Sequence, residues 1–189
     1  MTTALTLIVA FVLGSIPFGL LLTRIAGLGD IRAIGSGSIG ATNVLRTGRK
    51  DLAAATLLLD LLKGVAAVLI ARQFGGPAAL AGLAAVLGHT LTPWLGFRGG
   101  KGVATACGVL FGIAWPLGVA ASVIWLATAL LSRISSLAAL VACATAPFIA
   151  LAYHPYPWPV PLIAAWIIWR HHTNIARLRA GIEPRIGAS

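Results

Sequence analysis

Apolar runs long enough to cross a bilayer follow one another along nearly the whole chain, divided by short basic or Gly/Pro-rich turns. A helix needs about 20 such residues to span a hydrocarbon core of about 30 Å. Of the 189 residues, 59% are hydrophobic and 10% charged, against roughly 25% charged in soluble domains. This excludes an ordinary soluble domain. It implies an all-α, polytopic integral membrane protein, read as one membrane-embedded domain over residues 1–189.

The first expected span covers about 3–22, without the basic start of a cleaved signal peptide, so it reads as a retained helix. A second covers about 52–71, a Gly75, Gly76, Pro77 turn follows, and a third covers about 78–95. The block 103–131 has Lys101 before it and Arg133 after it. With both ends on one side it must be two helices, broken near Trp115 and Pro116, and the first is short. Short helices are tolerated where they line a polar cavity. A sixth span covers about 137–152, YHPYPWP forms an aromatic outer turn, and a last span returns from about Val160. The expectation is about seven helices, some short, with the N-terminus outside and the C-terminus cytoplasmic.

Lys and Arg number 14 against 4 Asp and Glu. In a bundle of this kind the excess first marks cytoplasmic loops, and second an attraction to anionic headgroups or a phosphorylated substrate. No nucleic-acid partner is expected. Cys107 and Cys143 lie in apolar runs and read as small buried residues. The acids Asp30, Asp51, Asp60 and Glu183 are scattered, so no metal and no cofactor are expected.

Three polar stretches fall on the expected cytoplasmic side. GSGSIGATNVLR, residues 35–46, combines Gly35, Gly37 and Gly40 with Ser36, Ser38, Thr42, Asn43 and Arg46. Small residues let N–H groups turn toward a ligand, and hydroxyls, an amide and a guanidinium add donors, so the stretch reads as an anion cradle. Close helix packing is the other use of such glycines. GSGSIG matches a dinucleotide fingerprint in letters alone, since no βαβ unit surrounds it. In the second stretch, Gly99, Gly100, Lys101 and Gly102 precede an apolar helix and suit a phosphate; Lys101 and Arg98 also serve as topology signals. His89 reads as structural. In the third, HHTNIARLRAGIE, helical spacing puts His171, Asn174 and Arg177 on neighbouring positions. His171 fits a general base or a phosphate donor, and Glu183 fits a group that holds Arg or His in place. Asp60 and Lys63 lie inside the second span at a pairing distance of i, i+3, as a structural pair or an active-site support.

With these motifs in order, the chain resembles the bacterial acyl-phosphate:glycerol-3-phosphate acyltransferases, the PlsY family. SGSIGATNVLR, GHTLTPWLGFRGGKGVAT, HHTNIARLRAGIE and DLLKG carry the resemblance over almost the whole chain. Ser38 stands where that family usually has Asn, and Arg98 where Lys is common. The resemblance implies a bacterial inner-membrane enzyme with its active site facing the cytoplasm. It moves an acyl chain from acyl phosphate to the 1-hydroxyl of sn-glycerol 3-phosphate, giving lysophosphatidic acid and phosphate. Its partners would be those two substrates and membrane lipids. Ser36, Gly37, Ser38, Gly40, Thr42, Asn43 and Arg46 would cradle a phosphate. Lys101, with Gly99 and Gly100, would hold the second anion or the developing carbonyl charge. His171 and Asn174 would orient the acceptor, and Lys50 and Ser136 would add phosphate contacts. Asp60, Lys63 and Glu183 would support the site. An acyl phosphate is already activated, so positioning and charge neutralisation can suffice. The competing expectation is a transporter or channel for phosphorylated metabolites, which also needs cations and broken helices.

Overall fold

The computed structural model describes residues 2–153 and 155–187, and all regular structure among them is helical. The helices are α1 (Thr3–Gly14), α2 (Phe18–Ile25), α3 (Ala41–Val44), α4 (Lys50–Gln73), α5 (Ala78–Thr90), α6 (Val103–Ile113), α7 (Trp115–Ser132), α8 (Ser135–Ala150), α9 (Pro159–Arg170) and α10 (His172–Arg179). Four stretches are long and apolar enough to cross a membrane: Thr3–Ile25, Lys50–Gln73, Ala78–Leu95 and Trp115–Ser132. α6, α8 and α9 are shorter apolar helices. His154, in the expected aromatic turn, lies outside the described residues.

The first expected span is not one helix. α1 stops at Gly14 and α2 begins at Phe18. Pro17 supplies no N–H and disfavours helical geometry at Ile16. The freed carbonyls find other donors: Lys63 Nζ donates to Ile16 at 2.8 Å, and Thr92 Oγ1 donates to Ser15 at 2.7 Å. Trp94 Nε1 donates to the Ser15 hydroxyl at 2.9 Å. Non-helical backbone at this depth is therefore satisfied by protein. The second expected break is present. Ala114 is extended, and Pro116 occupies the first turn of α7, where a missing N–H costs nothing. Arg72 at the end of α4 donates to the Ile113 carbonyl at 2.5 Å and caps α6.

α4 packs on α1, α5 and α6, and α6 to α9 follow side by side. The core is rich in alanine, for example Ala67, Ala71, Ala81 and Ala85. Lipid gives no hydrophobic drive between helices, so small residues that admit close van der Waals contact hold the bundle. Gly108 of α6 is the tightest case: a Cβ there would fall on the Leu61 carbonyl of α4. Gly108→Val is expected to destabilise the detergent-solubilised protein by about 1–3 kcal/mol, the usual cost of overpacking, read as a lower midpoint in thermal unfolding. An unchanged midpoint would contradict this packing.

Candidate active site

The 35–46 loop is shaped from within by one side chain. Asn43 is 1% exposed. Its Nδ2 donates to the carbonyls of Ile31, Ile34 and Ser38 at 2.9, 3.2 and 2.8 Å. Its Oδ1 accepts the Ser36 N–H at 3.0 Å and Arg46 at 3.5 Å. Gly35 takes a left-handed φ of +55°, and a Cβ there would strike Asn43 and Arg46. The loop therefore curls around Asn43 and leaves Ser36 and the Arg46 guanidinium exposed. Across the gap, Thr42 Oγ1 lies 3.1 Å from Ser135 Oγ at the start of α8.

The opposite wall is organised by Glu183, in the segment after α10. It accepts Ser136 Oγ at 2.7 Å, Asn174 Nδ2 at 2.5 Å and Arg177 Nε at 2.6 Å. Burial opposes ionisation of Glu183, but those three donors outweigh it and hold the carboxyl below its ordinary value. Asn174 Oδ1 is buried and has no hydrogen-bond partner. An open acceptor on a cavity wall suits a ligand hydroxyl. His171 is 2% exposed, and its Nδ1 lies 2.7 Å from the Ile167 carbonyl. A carbonyl can only accept, so Nδ1 carries the proton and Nε2 keeps its lone pair. Burial first, with the charges of Lys101 and Arg170 added and the Ile167 bond opposing, brings His171 down to about 4. It is neutral at neutral pH.

Between these walls lies a cavity of about 820 Å³. Ser36, Ser38, Arg46, Lys101, His171 and Asn174 line its polar end. Leu110, Ala142, Ala146, Val160 and Ile163 line its apolar depth. Along α9 and its C-cap the lining runs from Val160 to His171, about 16 Å. Neither Arg46 nor Lys101 has a carboxylate in ion-pair range among the described residues, whereas each of the four acids is paired. The cavity thus offers Arg46, Lys101 and Arg185 as cations without a carboxylate partner among the described residues, and a hydrocarbon lining beyond them.

The structure brings together most of the expected residues and corrects several. Asn43 lines the cavity, but its amide is fully engaged in holding the loop, so it is an organiser rather than an open phosphate donor. The N–H groups of Gly99 and Gly100 are also engaged, with the Thr90 and His89 carbonyls at 3.1 Å each. A Cβ on Gly100 would fall on His89 Nε2. These glycines let the segment before Lys101 pass close to α5; they do not present N–H groups to an anion. Gly37, Gly99, Gly100 and Lys50 are absent from the cavity wall, and Lys50 is exposed. His171 cannot serve as a phosphate donor in its neutral tautomer, because the lone pair of Nε2 faces outward from its backbone bond. Gly40, Thr42 and Ser136 do line the cavity.

Asp60 and Lys63 pair at 2.7 Å with side chains 3% and 1% exposed. Lys63 also donates to His89 Nδ1 at 2.9 Å. Asp60 and His89 reach the cavity wall; Lys63 stands behind them. Arg177, Ser135 and Arg185 also reach the wall. Arg177 was legible as Asn174 plus three; Ser135 had no signal beyond its neighbour Ser136. No group of three or more His, Cys, Asp or Glu among the described residues could hold a metal ion.

A family model described as glycerol-3-phosphate acyltransferase matches residues 4–181. The chain belongs to the glycerol-3-phosphate acyltransferase family. The glycerol-3-phosphate acyltransferase of Mesorhizobium japonicum is 59% identical over 188 residues, covering 97% of this chain and 96% of the relative. That of Brucella anthropi is 56% identical over 186 residues, covering 96% and 92%. The crystal structure of PlsY (YgiH), an integral membrane glycerol 3-phosphate acyltransferase, in its glycerol 3-phosphate form matches with a TM-score of 0.92 at 39% identity, covering 98% of this chain and 96% of that one. Its lysophosphatidic acid form matches with a TM-score of 0.89 at 38% identity, covering 98% and 95%. The family expected from the motifs, and an all-helical integral membrane fold, therefore stand.

In this acyltransferase Lys101 has a distinctive titration. Burial first, then the charges of Arg177, Arg46 and Arg170, bring it down to about 8, with Glu183 opposing. Its charge is full below that value and is lost as pH rises through it. kcat/KM, which reports the free enzyme, is expected to fall above about pH 8. Lys101→Arg is expected to remove this alkaline limb, since an arginine stays charged. A pH–rate series on both proteins checks it; a limb that persists in Lys101→Arg would contradict the assignment.

Proposed function

We propose that this chain transfers an acyl group from acyl phosphate to the 1-hydroxyl of sn-glycerol 3-phosphate, at the cytoplasmic face of the bacterial inner membrane. The domain is the whole of residues 1–189, with seven spans, the N-terminus outside and the C-terminus cytoplasmic. The observation that carries this reading is the single cavity with Arg46 and Lys101 at a polar mouth and an apolar depth behind them. A donor with a phosphate head and an acyl tail fits such a cavity lengthwise, and a second phosphate fits beside the first. The family and the two PlsY forms supply the substrate and product class.

Ser36, Ser38, Thr42 and Arg46 hold the donor phosphate, with Gly40 giving backbone room and Asn43 fixing the loop. Lys101 neutralises the second phosphate or the carbonyl oxygen as it gains charge. Asn174 Oδ1 and His171 Nε2 accept hydrogen bonds from the glycerol hydroxyls. The 1-hydroxyl oxygen attacks the acyl carbonyl carbon, and the bond from that carbon to the phosphate oxygen breaks. The hydroxyl proton leaves with the phosphate. As the bond to the acyl carbon breaks, the phosphate oxygen gains charge and becomes a stronger base than His171 at about 4. His171 Nε2 takes the 2-hydroxyl and so aligns the glycerol, and the proton of the 1-hydroxyl passes to the departing phosphate. Ser136 and Glu183 set the angle of Asn174, and Asp60 with Lys63 braces the floor. No cofactor is needed, because the donor is already activated.

The test is product formation by purified protein given glycerol 3-phosphate and one of three donors: acyl phosphate, acyl-CoA or acyl carrier protein. Lysophosphatidic acid is expected with acyl phosphate alone, with one phosphate released per product. Folded protein that makes no lysophosphatidic acid from acyl phosphate would remove the reading.

A further inference from the structure

Outside the cavity, a second basin of about 590 Å³ lies on the other side of the 35–38 loop, walled by Arg32, Arg98 and Arg170 with Asp30, Gly37 and Phe97. It shares no lining residue with the cavity. Three guanidiniums face one carboxylate there. That carboxylate is already engaged: Asp30 takes Arg32 at 2.5 Å and Arg24 at 3.1 Å. Neither Arg98 nor Arg170 has an ion-pair partner among the described residues.

Arg170 is the informative member. It is half-buried, and its Nε is buried with no hydrogen-bond partner. Its terminal nitrogen reaches only the carbonyls of Gly99 and Gly100, at 3.4 and 3.3 Å. A buried guanidinium donor without an acceptor is costly, and like charges gathered in one basin repel. An oxyanion in the basin lowers the repulsion and gives the terminal nitrogens of Arg170 a closer acceptor than the two carbonyls. The wall has a second irregularity: Phe97 holds a φ of +63°, a left-handed conformation rare for a bulky residue. It keeps the turn that presents Arg98 folded against the basin. Strain of this kind persists where surrounding structure requires it and is a pointer to a ligand site.

We infer that the Arg32, Arg98 and Arg170 basin is a second oxyanion site, distinct from the acyl-transfer cavity, that takes a phosphate group. The phosphate comes either from free inorganic phosphate or from the headgroup of an anionic phospholipid. The charge and the unpartnered donor define the chemistry without reference to the acyl-transfer reading. The lipid source alone depends on the proposed membrane orientation, which puts the basin at headgroup depth. Exposed Trp94 and Phe97 on the adjoining turn suit that depth.

The experiment begins from the Arg46→Ala, Lys101→Ala, Arg185→Ala triple variant, whose cavity keeps only Arg177, already paired with Glu183. Inorganic phosphate is titrated by calorimetry into this protein in neutral maltoside micelles, with and without added phosphatidylglycerol. Saturable phosphate binding is expected in the triple variant. Adding Arg98→Ala is expected to weaken it about tenfold or more, as for other charge-assisted contacts, and adding Arg170→Ala as well to abolish it. Phosphate binding that phosphatidylglycerol leaves unchanged identifies the free anion as the ligand. Binding that phosphatidylglycerol competes away identifies the headgroup. Absence of any phosphate binding in the triple variant, together with phosphatidylglycerol retention equal to that of the quintuple variant, overturns the inference, as does binding that Arg98→Ala and Arg170→Ala leave unchanged. Arg98→Ala alone leaves the cavity lining intact, so its thermal midpoint and saturating acyl-transfer rate serve as controls for folding.

Discussion

Lys101→Ala is expected to lower kcat/KM for acyl transfer by about a hundredfold to a thousandfold, with the fold intact. Transfer moves negative charge toward the carbonyl oxygen and the departing phosphate, beside a second phosphate that is already charged. A cation held at that point in a site screened from water is worth far more than one in solvent. Lys101 is half-buried on the cavity wall and has no carboxylate partner among the described residues, so its charge is open to the ligand. The segment that carries it is fastened by other atoms, the Gly99 and Gly100 N–H groups on the carbonyls of Thr90 and His89. Truncating the side chain therefore removes charge and leaves the backbone in place. Initial rates with both substrates, beside a thermal unfolding curve in the same detergent, measure the two halves of this statement. A folded Lys101→Ala protein working within a few-fold of the parent rate would remove lysine from the chemistry.

The largest stability effect is expected at Lys63. Its ammonium meets Asp60 at 2.7 Å, the Ile16 carbonyl at 2.8 Å and His89 Nδ1 at 2.9 Å. One side chain thus neutralises a buried carboxylate and satisfies the carbonyl exposed by the break between α1 and α2. Lys63→Met leaves the Asp60 carboxylate with only His89 Nδ1, at 3.6 Å, beside it, and the expected loss is about 3–5 kcal/mol. Asp60→Asn alone leaves the ammonium unpaired and is expected to cost a comparable amount. The Asp60→Asn, Lys63→Met double variant is expected to recover much of the loss, because neither charge is then orphaned. Denaturant unfolding of the four proteins in micelles gives the coupling directly. Strict additivity of the two single changes would mean that the pair is not the brace described here.

How far the sequence carries depends on the range of each interaction. Run length and basic flanks were enough for the helical bundle, and Pro116 between two cationic ends was enough for the break at Ala114. The same reasoning passed over the break at Ser15–Pro17, because an apolar run hides it and the donors that satisfy it lie far along the chain, at Lys63, Thr92 and Trp94. Asp60 and Lys63 were legible as a pair because i, i+3 is a local rule; His89 as their third member was not. The glycines and Asn43 show a different limit. Residue type says that a donor exists, not what it donates to. The N–H groups of Gly99 and Gly100 and the Asn43 amide are donors that the fold itself consumes. Glu183 stood out as the one carboxylate in the C-terminal half, but its hold on Ser136 spans 47 residues and has no local signature.

The most direct measurement varies acyl phosphate and glycerol 3-phosphate together and records initial rates. Two phosphates held side by side with no protein nucleophile give intersecting double-reciprocal lines and no acylated protein by intact-mass analysis. Parallel lines with an acyl group trapped on a serine or cysteine of the cavity would mean that the chain attacks the donor itself, contradicting direct transfer.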